Sequence, residues 1–575
     1  MRHNVIFKKI LMIYILTFFC NLHEVAFTNT IVLSGDIVTI QSAINASATG
    51  DTVLVETGVY FETINFYGKS IVLLSGNGPD STIISAERNP HTPVINFVSG
   101  EDTCAIISGF TIRNGSASQG GGIVCRFSSP KIQNNIIVQN RAALGAGIYC
   151  SDGSNPIIKN NIITRNVSYG GMFYGGGGIY IKDSGNITIS ENIISENSAY
   201  DGGGILVSDS SYVIIVNNEI AENSISHSGG GIYCGTGSKS IIKGNYILKN
   251  FGDETTLGGG IFSAGDPNIS NNVIEENTVG YGAGVYLLGG EATVDSNQIS
   301  KNFVSGPSGT GGGLHVHQAN EMADISFNLI VENKAYYAGG IFIRECQSLR
   351  INNNTIISNE ASDGGGGMAI YNSQPCVINN IVANTVDGGG ITCRSANPIF
   401  KYNNVWKNTG GNYVGCSYDI ENLSQDPIFV GGDPFDYHLS ENSPCIDAGD
   451  PESPFDPDES RADIGAFYFP HESHVSQDQN KNIPSNFKLQ MYPNPFNSQI
   501  TIRYQIPGEG QVNLFIYNIL GQNVAKLVEG EKSQGFYEVI WNVKDVLGKI
   551  IGSSVYIVTL QFGPFMKTSK VMFLQ

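Results

Sequence analysis

Residues 120–150 read GGGIVCRFSSPKIQNNIIVQNRAALGAGIYC. A glycine step leads into Ile123, and a second glycine step leads into Ile148. The same step returns at Ile179, Ile205, Ile232, Ile261, Val285, Leu314, Ile341, Met368 and Ile391, with a mean spacing of about 27 residues. A fixed period of this size marks a repeat architecture and takes precedence over any strand-by-strand reading. Between glycine steps lies a second element, IQNNIIVQN at 132–140, which recurs as ISENIISEN, IVNNEIAEN, ISNNVIEEN and INNNTIISN. Its fourth-position asparagines are Asn135, Asn161, Asn192, Asn218, Asn245, Asn272, Asn297, Asn328, Asn354 and Asn403.

Short runs in which isoleucine alternates with polar residues are strands, so each repeat is expected to hold three of them. Three short strands cannot bury their apolar faces alone. Coiling them and stacking the coils buries Ile on Ile and pairs each backbone with the coils above and below. The period therefore predicts a parallel β-helix of about 14 to 16 coils. Asparagine suits a fixed corner, because it tolerates left-handed backbone and its amide can bond to the same amide one coil away. Glycine permits the tight turn before the next strand. Leucine-rich repeats have a similar period, but leucine is scarce here and each repeat carries a glycine cluster.

Composition agrees. Of 575 residues 70 are glycine, and charged residues make up only 14% against a usual 25%. Apolar content of 41% excludes a disordered chain. The net charge is −19 and uneven. From Ser485 onward eight Lys/Arg face five Asp/Glu, so the body is near −22 and the tail near +3. An acidic body disfavours nucleic acid and anionic membrane surfaces. Basic Arg2, Lys8 and Lys9 precede an apolar run from Ile10 to Cys20, the plan of a secretory signal peptide over residues 1–27. No later stretch is long and apolar enough for a membrane helix.

On these residues the chain resembles the right-handed parallel β-helix family, the pectate-lyase-like superfold, over residues 28–470. IQSAINASATGDTVLVETGVYFETI (40–64), GKSIVLLSGNGPDSTII (68–84) and SGFTIRNG (108–115) look like opening coils of secreted bacterial β-helices. DPIFVGGDPFDYHLSENSPCIDAGDP (426–451) and RADIGAFYF (461–469) are similar to the closing segment of that group. The superfold carries lyases, hydrolases, adhesins and structural spikes, so it implies a fold and not an activity.

A polar stretch at 471–485 reads as a linker. Residues 486–575 then alternate as strands of a small β-sandwich. Pro493-Asn494-Pro495, Tyr517, Gly521, Gly535, Trp541, Tyr556 and Lys570-Val571 make this segment resemble the C-terminal sorting domain of type IX secretion. The resemblance implies passage across the outer membrane by the type IX machinery, removal of the tail, and a secreted or surface-attached protein.

In the glycine-led strand, the second residue past the aliphatic points inward, which stacks Cys125, Cys150, Cys234 and Cys393 in the core and allows a Cys125–Cys150 disulfide. The first residue past it points outward, giving a stripe of Tyr149, Tyr180, Tyr233, Phe262 and Tyr286 suited to sugar rings. Asp152, Asp183 and Asp209 recur on consecutive coils at spacings compatible with glycoside hydrolysis, although such triplets also start turns. His315, His317, Arg344, Tyr371 and Arg394 form a second outward patch. Asp447, Asp450, Asp456, Asp458 and Asp463 offer carboxylates that suit Ca2+ or a solvated closing loop. The leading expectation is an exported cell-surface protein that binds a polysaccharide or cell-surface glycan, or adheres through one. A polysaccharide hydrolase or lyase, and a surface rod without a ligand, are the alternatives.

Overall fold

A computed structural model describes residues 29–33, 39–171, 175–208, 210–432, 435–471, 488–492, 499–518, 523–542, 554–563 and 565–573. The expected signal peptide and the 472–485 linker residues lie outside these, as do Asp209, Pro493-Asn494-Pro495 and Gly521. Two compact units are present, Met1–His471 and Glu472–Gln575.

The first unit is a parallel β-helix. Its first wall has 15 strands and its second and third walls have 14 each. One coil runs through Lys131–Gln133, Ile136–Val138, Arg141–Leu144 and Ile148–Ser151. Coils stack in strict register, so Ile123 pairs with Ile148, Ile148 with Ile179 and Ile179 with Ile205. Each of these isoleucines is fully buried. The Arg141–Leu144 strand belongs to a short fourth wall, built as one five-stranded and one four-stranded sheet. Three strands per repeat was the expectation. The fourth arises because the chain stays extended past the second asparagine and pairs with its own copies one coil away.

The asparagine column forms as expected and gains Asn380 and Asn422. Asn135 Nδ2 donates to Asn161 Oδ1 (3.2 Å) and to Ile107 O (3.1 Å), and the Asn135 N–H donates to the same Asn161 oxygen (3.0 Å). A second column uses the last asparagine of the motif and runs from Asn140 through Asn166, Asn197 and Asn223 to Asn359. The corner differs in one respect. The left-handed residue precedes the ladder asparagine, as at Asn134 (φ 55°), Glu191 (φ 56°) and Glu222 (φ 57°). Asparagine is thus placed for its buried amide, while its neighbour takes the backbone strain. Glycine has two roles at the step. Gly145 adopts φ +59°, whereas a Cβ on Gly147 would lie 2.4 Å from the Gly178 carbonyl of the next coil.

The N-terminal end is covered. Helix Ile40–Ala46, capped by the Thr39 side chain, buries Ile40, Ala43 and Ile44 against the first coils. After the last coil the chain folds back, and Leu439, Cys445 and Ile464 cover Leu329, Val331, Ile357, Ile381 and Ala383 on the outside of the second wall. Cys125 and Cys150 face each other across the third wall as free buried thiols, so the disulfide that spacing allowed does not form. Burial first, then the neighbouring thiol, pushes Cys125 well above the ordinary thiol range. The bond lies between Cys393 and Cys416, where it ties the last coil to the one before.

The second unit is antiparallel. Lys488–Tyr492, Ile500–Ile506 and Gly535–Trp541 form one sheet, and Gly510–Asn518, Asn523–Lys532, Ser554–Phe562 and Phe565–Phe573 form the other. Ile500, Ile502, Tyr504 and Ile506 alternate inward and share a core with Leu514, Trp541, Val558 and Leu560. This is the sandwich pattern that the alternation of the segment predicts.

Candidate functional site

The outward stripe is not an open surface. Tyr149 is 3% exposed, Tyr180 7%, Phe262 4% and Tyr286 7%, and Tyr233 is half-buried. The fourth wall and the glycine loops fold over this position, and Leu144 packs against the cluster of Val124, Tyr149, Tyr180 and Leu206. The rings stack along the helix instead. Centroids are 5.0 Å apart for Tyr233–Phe262, 5.5 Å for Phe262–Tyr286 and 4.2 Å for Tyr286–His315. Such contacts strengthen the joint between coils.

Asp152 and Asp183 sit in exposed turns at φ 58° and 47°. Asp152 accepts from the Ser151 hydroxyl (2.7 Å) and lies 3.8 Å from Arg126 Nε. Asp183 Oδ2 is 4.0 Å from Lys182 Nζ. Both have the geometry of turn-forming aspartates. Of the closing-segment carboxylates, Asp450, Asp456, Asp458 and Asp463 accept from backbone amides, and Asp447 Oδ2 is 3.0 Å from His471 Nε2. Asp463 accepts from the Asp447 and Phe469 amides, and Asp456 accepts from the Asp463 amide. Burial, with Asp463, Asp458 and Asp447 nearby, pushes Asp456 up to about 6. Among the described residues, no group of three or more His, Cys, Asp or Glu side chains is placed to hold a metal ion.

Where the stripe reaches His315, the wall opens into a groove of about 650 Å³. Third-wall strands supply Tyr286, His315, His317, Phe342, Arg344, Tyr371 and Arg394, and the glycine-led loops supply Leu257, Tyr281, Ser308, Thr310 and Tyr337. The patch expected from His315, His317, Arg344, Tyr371 and Arg394 is therefore brought together. Sequence reasoning missed the loop residues. Their one visible signal is the long loop around FVSGPSGTGGG (303–313), because loop length is free to vary within a strict coil.

His315 is 6% exposed and wedged between the rings of Tyr286 (4.2 Å) and Phe342 (4.9 Å). Its Nδ1 shares a hydrogen bond of 2.7 Å with Thr310 Oγ1, and its buried Nε2 has no partner. Burial, then His317 and Arg344, hold its imidazole down to about 3, so the ring is neutral at any ordinary pH. Tyr371 places a second buried atom, its hydroxyl, without a partner. A Cβ on Gly364 would lie 3.0 Å from that hydroxyl, so glycine is what lets this loop pass. The Arg394 guanidinium carbon is 5.2 Å from the Tyr371 ring centre and 5.8 Å from that of Tyr337. Arg394 Nη2 is 3.0 Å from Asp363 Oδ1, and Arg344 Nε is 2.9 Å from Glu345 Oε1. Buried polar groups are almost always paired, so two orphans in one concave site mark it as a place for a ligand.

Among solved structures, a point mutant of a PL6-family alginate lyase is similar at 15% identity and a TM-score of 0.32, over 77% of this chain and 59% of the lyase. The enzymatically active domain of tailspike protein 2 from bacteriophage CBA120 is similar at 12% identity and a TM-score of 0.23, over 77% of this chain and 72% of the domain. This chain thus spans 59% of the lyase's length. No curated protein matches the chain. No helix among the described residues is long and apolar enough to cross a membrane. The family of secretion system C-terminal sorting domains matches residues 490–536, which makes this a type IX export substrate, secreted or attached at the cell surface. The family of right-handed β-helix regions matches residues 20–220 and 171–330, more than half of the sequence, and the chain belongs to that family.

Proposed function

We propose that this exported β-helix protein binds a polysaccharide or cell-surface glycan in the groove around His315. One observation carries the reading. A concave site lined by four tyrosines holds two buried polar atoms, His315 Nε2 and the Tyr371 hydroxyl, that no protein group satisfies. Sugar hydroxyls supply such partners, and tyrosine faces suit sugar rings. Tyr286 lines the groove directly. Tyr233 and Phe262 extend its stack along the coils, and Tyr149 and Tyr180 form a separate pair further on.

A second reading, a polysaccharide-degrading enzyme, is favoured by the unpartnered Nε2 of His315, which can hold a sugar hydroxyl in place. An imidazole held down to about 3 is a weak base at neutral pH, so its part in such a reaction is to position the hydroxyl and not to take its proton. Asp152, Asp183 and Asp209 are the separate proposal for a hydrolase. The full chain mixed with a panel of oligosaccharides separates these readings. Binding without new reducing ends or unsaturated product supports the binder. Product that disappears in His315→Phe supports an enzyme at the groove, and product that disappears only in Asp152→Asn with Asp183→Asn supports the hydrolase. No binding and no product leaves a rod without a ligand.

A further inference from the structure

We infer that the groove selects an uncharged sugar: a neutral glycan whose hydroxyls meet His315 Nε2 and the Tyr371 hydroxyl. This rests on the binding reading above and adds the class of ligand.

Charge accounting across the groove supports it. Apart from the histidines, Arg344 and Arg394 are the only ionisable cations lining the site among the described residues. Each is already held by a carboxylate, Glu345 at 2.9 Å and Asp363 at 3.0 Å. Glu345 also accepts from Gln318 Nε2 (2.9 Å) and faces His317 Nε2 (3.4 Å). Gln318 first, then Arg344 and His317, hold its carboxyl below the ordinary range, so the counter-charge persists in mild acid. An acidic sugar would have to displace these carboxylates or sit beside them, within a chain of net charge −19.

The unmet demand is neutral. A buried polar atom without a partner costs about 1–3 kcal/mol, and satisfying it contributes to affinity. A hydroxyl both donates and accepts, so it satisfies Nε2 in whichever tautomer the Thr310 bond selects, and it accepts from the phenol. A carboxylate only accepts and cannot satisfy an Nε2 lone pair, so a hydroxyl fills this position, and it is the charge balance of the groove that disfavours a uronate. Burial of His315 keeps this demand unchanged across mild pH.

The test uses the full chain and named probes: hexaoses of glucose, mannose and xylose against hexamers of galacturonate and mannuronate. Affinity is read by calorimetry at low and high salt and at pH 8 and 5.5. The expected result is a neutral hexaose whose affinity changes less than about twofold with salt or pH, because no net charge is transferred. Tyr371→Phe removes only the hydroxyl. It is expected to weaken that binding by roughly 5- to 10-fold, the equivalent of one hydrogen bond, with the melting temperature unchanged or raised. A purely structural role for the hydroxyl would leave affinity unchanged, and that result overturns the inference. Salt-sensitive binding of uronate hexamers with no neutral binding also overturns it while the binding reading stands. Binding of no oligosaccharide removes the binding reading and the inference together.

Discussion

Two of the side-chain columns that run along this helix treat burial in opposite ways. In the asparagine column every buried amide from Asn135 to Asn403 donates to the next coil and to a backbone carbonyl, and its oxygen accepts in turn. In the outward column of the third wall, the aromatic stack passes through His315 to Phe342 and Tyr371, and there Nε2 and a phenol are buried with nothing to bond. The first column turns a polar group into a joint between coils. The second leaves buried polar atoms unpaired where the loops open a groove, at His315 and Tyr371, and again at Thr392 two coils past Phe342. Satisfied burial marks architecture, and unsatisfied burial in a concavity marks a site.

The sharpest way to break this comparison is to damage the satisfied column. Asn218 Nδ2 donates to Ile189 O and Asn245 Oδ1, and Asn218 Oδ1 accepts from Asn192. Asn218→Ala orphans several buried partners at once and should lower stability by about 3–5 kcal/mol in denaturant unfolding. A loss below about 1 kcal/mol would mean that water replaces the amide and the column is not a joint.

Next is the covered stretch of the stripe. Tyr149→Ala should cost about 2–4 kcal/mol, because the ring is packed under the fourth wall, and should leave glycan affinity unchanged. Equal stability with weaker binding would restore the stripe as an exposed ligand surface.

A third measurement isolates His315 by pH. Its imidazole titrates near 6.5 when unfolded and at about 3 when folded, so the native state binds fewer protons. Its contribution is complete above pH 6.5 and is lost as pH falls toward 3, by roughly 1 kcal/mol per pH unit between 6 and 4. Asp456, raised to about 6, acts in the opposite sense, so the profile is read as a difference from His315→Phe. Identical pH profiles would show that the ring is solvated. The smallest expected effect is Tyr371→Phe, a gain of about 0–1 kcal/mol as the orphan hydroxyl is removed.

The coil was legible because its determinants are local and repeated. Ile123 and its copies fix the inward face, the glycine step fixes the close approach of coils, and the IQNNIIVQN motif carries both asparagine columns. Two outcomes depended on more than local pattern. Tyr149 points outward in a strand of period two, but whether outward means solvent depends on a fourth wall that no alternation in RAAL (141–144) announces. Cys125 and Cys150 are in register, yet register alone does not make a bond, and the disulfide lies between Cys393 and Cys416 on the last two coils.

By itself the sequence determined a parallel coil of isoleucine and asparagine, a sorting tail, and an exported destination, since period, residue type and motif act over a few residues or repeat at fixed spacing. Only the tertiary structure decided which outward residues are buried and that loops from Leu257 to Tyr337 meet strands from Tyr286 to Arg394. It also decided that His315 Nε2 and the Tyr371 hydroxyl end without partners. Those outcomes depend on what neighbouring coils and loops place over a side chain, and contacts between residues so far apart in the chain leave no period to read.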